Sequence, residues 1–481
     1  MARVPDDVFF ESAVEIHARL LKREFSARDL ARDVSERLER QGPRFNALAL
    51  PLRDVAMRRA RDVDREIGRG RDRGPLQGIP FAAKDLFSYP GHPTTWGAKP
   101  YAEQELDQTA TVLQKLHSAG AGLCGKLAMI ELAGGGNYRF AAASLTGPCL
   151  NPWDRTRWAG GSSSGSGAAV AAGLVPFALG TETSGSIITP AAFCGVTALR
   201  PTYGLVSRAG AMTLSWTLDK VGPFARTAED CGHILQAIAG GDLLDPGSAR
   251  KGFRYAPQYT RPVHQYIAGY AESDFEDAAD PIIRPALRDA LKVLREIGLQ
   301  FQPAELPALP IGSAISTIIS AEGSTVFRQL IESGQVDELA DERQIAGLKA
   351  GLEIPAWQYL EAMRVRRQLQ RDFARIFRSV DLLVSPAHMS IAPPVADPLD
   401  RPSAHKPATS DRGLRAIIPA GNLAGLPALV LPCGFAEGLP VAIAIVGRPF
   451  SENALLAAGA EFQRRTDWHR RRPVLSVAVP S

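Results

Sequence analysis

Three short stretches of this chain carry side chains that could act together on a substrate. The first, WAGGSSSGSGAAVAAG (158–173), places Ser162, Ser163, Ser164 and Ser166 between glycines, ahead of a small-residue apolar segment. The second, GTETSGS (180–186), ends on Ser186, and the third, GIPFAAKDLF (78–87), sets Lys84 among apolar residues. A serine hydroxyl is a poor nucleophile at neutral pH and needs a base. Histidine is the usual one, but lysine serves if burial disfavours its ammonium form. A second serine can relay the proton, and the glycines free backbone N–H groups to face a developing oxyanion. For Lys84 taken alone, a salt bridge at a strand end is the competing explanation.

Other patterns compete for the same residues. Gly120–Gly125 matches G-x-G-x-x-G, but it follows a predicted helix and enters a strand, whereas a dinucleotide site needs the reverse. Ser248–Lys251 matches S-x-x-K within the turn-forming DPGSARKG. Gly161–Gly165 matches the nucleophile elbow G-x-S-x-G, yet loop-like sequence precedes it. The histidines downstream, His388 and His405, both fall in a proline-rich stretch, 386–410. A phosphate loop would end in G-K-[ST], and Gly165-Ser166-Gly167-Ala168 offers no lysine. An elbow or an anion cradle remains as a minor alternative.

The elements needed to position these residues are legible as an α/β alternation. Ser26 to Asp29 reads as a helix cap, with Leu30, Val34 and Leu38 following and Gly42 closing the helix. Strands are predicted around 78–87, 121–129, 176–180, 261–270 and 381–386, and as a pair at 428–435 and 441–447. Helices are predicted at 109–120, 167–175, 282–298, 356–377 and 452–465, with another starting near Ser186. No repeat and no clean linker divides the chain, and 386–410 reads as a mobile loop. The 481 residues are 45% hydrophobic and 22% charged, with a net charge of +4, so a large core can form and disorder is excluded. The arginines before residue 75 alternate with acids, as on a solvated helical face. Five scattered cysteines, no signal-like N-terminus, no apolar run of membrane length and no metal-ligand spacing predict a cytoplasmic protein. No metal, cofactor, nucleic acid or membrane is expected.

The block GGSSSGSGAAVAAGLVPFALGTETSGSIITPAAF (160–193) resembles the signature of the amidase signature family. The similarity extends to GIPFAAKDLF, GKLAMIELAGG, LRPTYGLVSRAGAM, NLAGLPALVLPCGF and GLPVAIAIVG, in order over most of the chain. It implies one large α/β domain over 1–481, with a mixed central sheet covered by helices on both faces. Within it would lie a helical segment at about 10–70, a catalytic core at about 71–235 and pocket segments at about 236–481. It also implies a Ser-cisSer-Lys triad: Lys84 as base, Ser162 as bridging serine at a cis peptide, and Ser186 as acylated nucleophile. Backbone N–H groups of Thr183, Ser184, Gly185 and Ser186 would form the oxyanion hole, with Ser163 in support. Met129 would line the acyl side of the pocket, unless it is plain core.

Glu182, Ser184 and Ile188 depart from the aspartate, glycine and arginine common in this signature. Arg415 stands seven positions before Asn422, where glutaminase subunits of the family carry an acid. The expectation is therefore a free-standing amidase acting on an amide, aryl amide, carbamate or urethane. Its partner would be a small-molecule substrate alone, and the chain a monomer or homodimer. The alternative is the A-type glutaminase subunit of a tRNA-dependent amidotransferase. Specificity is assigned to 312–365 and 386–410.

Overall fold

The structure, a computed structural model, describes residues 3–400 and 413–475; His405 and the end of the proline-rich stretch lie outside them. Among the described residues eleven strands make one sheet: β1 (Leu48–Pro51), β2 (Pro80–Lys84), β3 (Gly122–Leu127), β4 (Phe177–Glu182), β5 (Thr197–Arg200), β6 (Lys220–Ala225), β7 (Ile267–Tyr270), β8 (Gln300–Pro303), β9 (Leu382–Pro386), β10 (Ala428–Ala436) and β11 (Leu439–Gly447). Their order is β1-β3-β2-β4-β6-β5-β10-β11-β9-β7-β8. β2 runs parallel to β3 and β4, β7 runs parallel to β8 and β9, and the remaining pairs are antiparallel. This is the mixed α/β sheet that the sequence predicts.

Central strands with neighbours on each side are apolar over much of their length, because both faces are covered. Every residue of β2, β3, β4, β5 and β6 is buried. One apolar core extends from Val4 to Phe462.

The helices follow their local signals. At Ala27–Gln41, Ser26 accepts from the Asp29 N–H while the Asp29 carboxylate accepts from the Ser26 N–H, and Leu30, Val34 and Leu38 are buried. Gly42 does not close this helix in a left-handed turn: its φ is −54°, and a 3-10 turn carries the chain on to Asn46, which takes φ 50° instead. The strand predicted over 261–270 is only Ile267–Tyr270, because Pro262 lacks an N–H to donate and a short 3-10 turn follows it. The serine-rich helix starts at Ser164, earlier than its small-residue stretch, and ends at Ala171. Glycines permit that early start. A Cβ on Gly165 would fall 2.5 Å from the Ala47 carbonyl, and one on Gly167 would fall 2.8 Å from the Pro190 carbonyl.

Candidate active site

Lys84 is the last residue of β2, the strand between β3 and β4, and is 0% exposed. Parallel strands flank it and end beside it, so several loops converge at their carboxyl ends. The loop entering the serine-rich helix delivers Ser162, whose carbonyl accepts from the Ile130 N–H at 3.1 Å. The Gly161–Ser162 peptide is cis. The turn leaving β4 delivers Ser186. Lys84 Nζ lies 2.7 Å from Ser162 Oγ and 3.0 Å from Thr181 Oγ1, and Ser162 Oγ lies 2.9 Å from Ser186 Oγ. The three residues picked out by sequence thus form one hydrogen-bonded chain.

Burial lowers the Lys84 pKa from 10.5 to about 7, against the pull of Asp219 and Glu182. Desolvation disfavours the ammonium, and no carboxylate touches the amine closely enough to restore it. The strand-end salt bridge considered for Lys84 is absent among the described residues. Instead it is the next residue, Asp85, that makes a buried ion pair, with Lys126 at 3.0 Å.

The turn carrying Ser186 is fixed from behind by Glu182. Its carboxylate accepts from the N–H groups of Ile187 and Ile188 at 2.7 and 2.9 Å, from Arg200 Nη1 at 2.8 Å and from Asn422 Nδ2 at 2.6 Å. Burial opposes this charge, but the Arg200 guanidinium, together with the Arg200 and Ile188 hydrogen bonds, outweighs it and holds the Glu182 pKa below its ordinary value. The cation behind Ser186 therefore comes from β5, while Ile188 contributes apolar packing and its N–H. Thr183 Oγ1 donates to Asp219 at 2.6 Å, anchoring the other end of the turn. Gly185 has φ +92°, a conformation that glycine adopts without strain. Among the described residues the N–H groups of Thr183, Ser184, Gly185 and Ser186 meet no acceptor, so they are free to face an oxyanion.

Ser163 and Ser166 tie the helix to β4. Ser163 Oγ donates to the Thr181 carbonyl at 3.1 Å, and Ser166 Oγ to the Leu179 carbonyl at 3.0 Å. A nucleophile elbow at Ser163 has no basis here, since its hydroxyl is occupied by backbone. His388 lies near the site but bonds Thr189 Oγ1 at 2.9 Å and stacks on Phe193. Burial pushes its pKa down to about 4.

A cavity of about 510 Å³ opens over Ser186. Trp158, Leu214, Ile315, Ile319 and Leu399 give it apolar walls, Thr183, Ser184 and Thr189 line its floor, and Arg343 and Asp400 stand at its edge. Both segments singled out for specificity thus contribute. Met129 is not among the lining residues: it is 1% exposed and packs against the turn at Gly97, so the plain-core alternative describes it. Sequence reasoning did not find Thr181, Asp219 or Arg200. Asn422 was legible as a motif residue, but its bond to Glu182, 240 positions away, was not.

A buried lysine and two serines at the carboxyl ends of a mixed sheet define a class of serine hydrolase, and the family match agrees: the Amidase model covers residues 29–456, and the chain belongs to this family, enzymes acting on amide C–N bonds. Among curated proteins it is 38% identical to the A-type subunit of glutamyl-tRNA(Gln) amidotransferase from Chloroflexus aurantiacus, over 96% of this chain and 97% of that one. Among solved structures, it matches a chain from a vestigial complex bearing on the origins of an s-triazine catabolic enzyme. There the TM-score is 0.85 at 30% identity, covering 95% and 98% of the two chains. It also matches the peptide amidase of Stenotrophomonas maltophilia, with TM-score 0.79 at 30% identity, covering 95% and 96%.

These relatives correct one expectation. A small-molecule substrate as sole partner, with no nucleic acid and a monomeric or homodimeric chain, is overturned by end-to-end similarity to proteins that are subunits of a tRNA-linked enzyme. The likeness extends over 97% of the relative's length. Among the described residues no helix is long and apolar enough to cross a membrane.

Proposed function

We propose that this chain cleaves the C–N bond of a carboxamide through an acyl-enzyme on Ser186. The observation that carries this is the unbroken chain Lys84–Ser162–Ser186, with contacts of 2.7 and 2.9 Å, at the floor of a cavity. Neutral Lys84 takes the Ser162 proton as Ser162 takes that of Ser186, and Ser186 Oγ attacks the carbonyl carbon. The oxyanion rests on the N–H groups of Thr183, Ser184, Gly185 and Ser186. On collapse the proton returns from Lys84 through Ser162 to the leaving nitrogen, and the amine or ammonia departs. Water then attacks the ester by the same relay and frees Ser186. Removing one donor of such a hole costs about 2.7–4 kcal/mol in the transition state.

For the setting, the relatives, which are A subunits of glutamyl-tRNA(Gln) amidotransferase, favour the glutaminase subunit of such an enzyme. A cytoplasmic location suits this role and five unpaired cysteines. One observation favours a second reading, a free-standing amidase or urethanase. The carboxylate in the cavity lining, Asp400, is paired with Arg343 and Arg139, leaving little to hold an ammonium group.

Two measurements test these readings. A fluorophosphonate should label Ser186; labelling at Ser163, or none, would remove the acyl-enzyme. Ammonia release from glutamine, compared with turnover of aryl amides and carbamates, separates the two settings. Glutamine turned over best supports the subunit reading, and glutamine left intact while an aryl amide is cleaved supports the second.

A further inference from the structure

Arg343 and Asp400 are the charged residues in the cavity lining, and they meet each other in an ion pair. A second guanidinium, that of Arg139, approaches the same carboxylate, its Nε 3.4 Å from Asp400 Oδ1. Two guanidinium groups therefore share the Asp400 carboxylate at the edge of the cavity.

This arrangement is built rather than incidental. Asp341, 5% exposed, accepts from the N–H groups of Arg139 and Phe140 at 2.6 and 2.9 Å, and from that of Arg343 at 3.0 Å. One buried carboxylate thus fixes the backbones of both arginines. The Leu399 N–H donates to the Arg139 carbonyl at 2.8 Å, which docks the Asp400 segment onto the same point. Three separate segments converge, and Asp400 is the carboxylate that the two guanidinium groups share. The planar guanidinium fork matches a carboxylate in geometry and charge.

We propose that Arg343, with Arg139, recognises a carboxylate on the substrate beyond its scissile amide, and that Asp400 holds this place otherwise. The proposal rests on the amide-hydrolase reading and narrows it to acid amides, of which glutamine is one. An uncharged substrate would leave the Arg343–Asp400 pair in place, whereas an anionic one exchanges with Asp400.

The test is calorimetric binding to the acylation-dead Ser186→Ala protein, with glutaric acid monoamide and uncharged pentanamide as probes. The ratio of the two Kd values should favour the monoamide. Arg343→Gln should shrink that preference by about tenfold, Arg139→Gln should shrink it less, and Asp400→Asn should enlarge it. Melting curves check that each variant is folded. A simple structural latch predicts an unchanged ratio with a lowered melting temperature, and that result would overturn the proposal. If the active enzyme cleaved neither amide while the binding preference held, the amidase reading would fail and the carboxylate subsite would not.

Discussion

At the scale of single residues, the chemistry turns on one proton missing from Lys84. Its pKa of about 7 makes kcat/KM rise with pH through that value, well below the usual lysine range. Lys84→Met and Lys84→Arg should both be nearly inactive at every pH, since neither side chain accepts a proton there. An arginine variant with near wild-type turnover would remove Lys84 from the mechanism. Stability supplies an independent readout with a definite sign. Between about pH 7 and 10.5 the unfolded lysine holds a proton that the folded one lacks, so wild-type unfolding free energy rises with pH across that window. The slope should be smaller in Lys84→Met, as measured by denaturant melts at stepped pH. Lys84, Ser162 and Ser186, which the structure joins by hydrogen bonds, could be picked out in the sequence because serine-glycine clusters and a lysine in an apolar strand are local signals. Met129 was not, because a side chain next to a motif can face core or cavity, and spacing does not say which.

At the scale of elements, the site depends on how the turn after β4 is held. Arg200 and Glu182 are both 0% exposed and lie 2.8 Å apart. Removing one partner of such a pair strands a buried charge, at a typical cost of about 3–5 kcal/mol. Arg200→Met should therefore lower the melting temperature. It should also cut kcat by about 10²-fold, because the Ser186 turn loses its backing. Glu182→Gln on top of Arg200→Met should restore part of the melting temperature, since the stranded charge is gone. No recovery in the double variant would assign the loss to packing instead. Among the described residues β1, β5, β6 and β8 and half of the fourteen α-helices were missed, while the other seven strands and seven helices could be read from apolar runs, caps and periodicity, and the hairpin of β10 and β11 from its short turn. Strand order could not. β5 pairs with β10, and Asn422 reaches Glu182, through contacts separated by more than two hundred positions, and no local pattern records them. Arg200 was overlooked although Glu182 is only 18 positions away, because the two lie on different strands whose arrangement no local pattern records.

At the scale of the whole molecule, the shared core from Val4 to Phe462 implies that the described segments melt together. A single calorimetric transition is expected, with matching calorimetric and van't Hoff enthalpies. Two resolved transitions would split the chain into separate units. The sheet order has a further consequence. β10 and β11 lie in the middle of the sheet, between β5 and β9, although they are the last strands of the chain. During synthesis β5 leaves the ribosome more than two hundred residues before the strand that covers it. Until then the nascent chain carries an open, apolar strand edge, a template for wrong pairing. Asn422, which helps fix the turn bearing the nucleophile, emerges in the same late interval. The chain is thus born with an exposed edge and an unfinished site, and both are completed only when β10 and the Asn422 segment have been made.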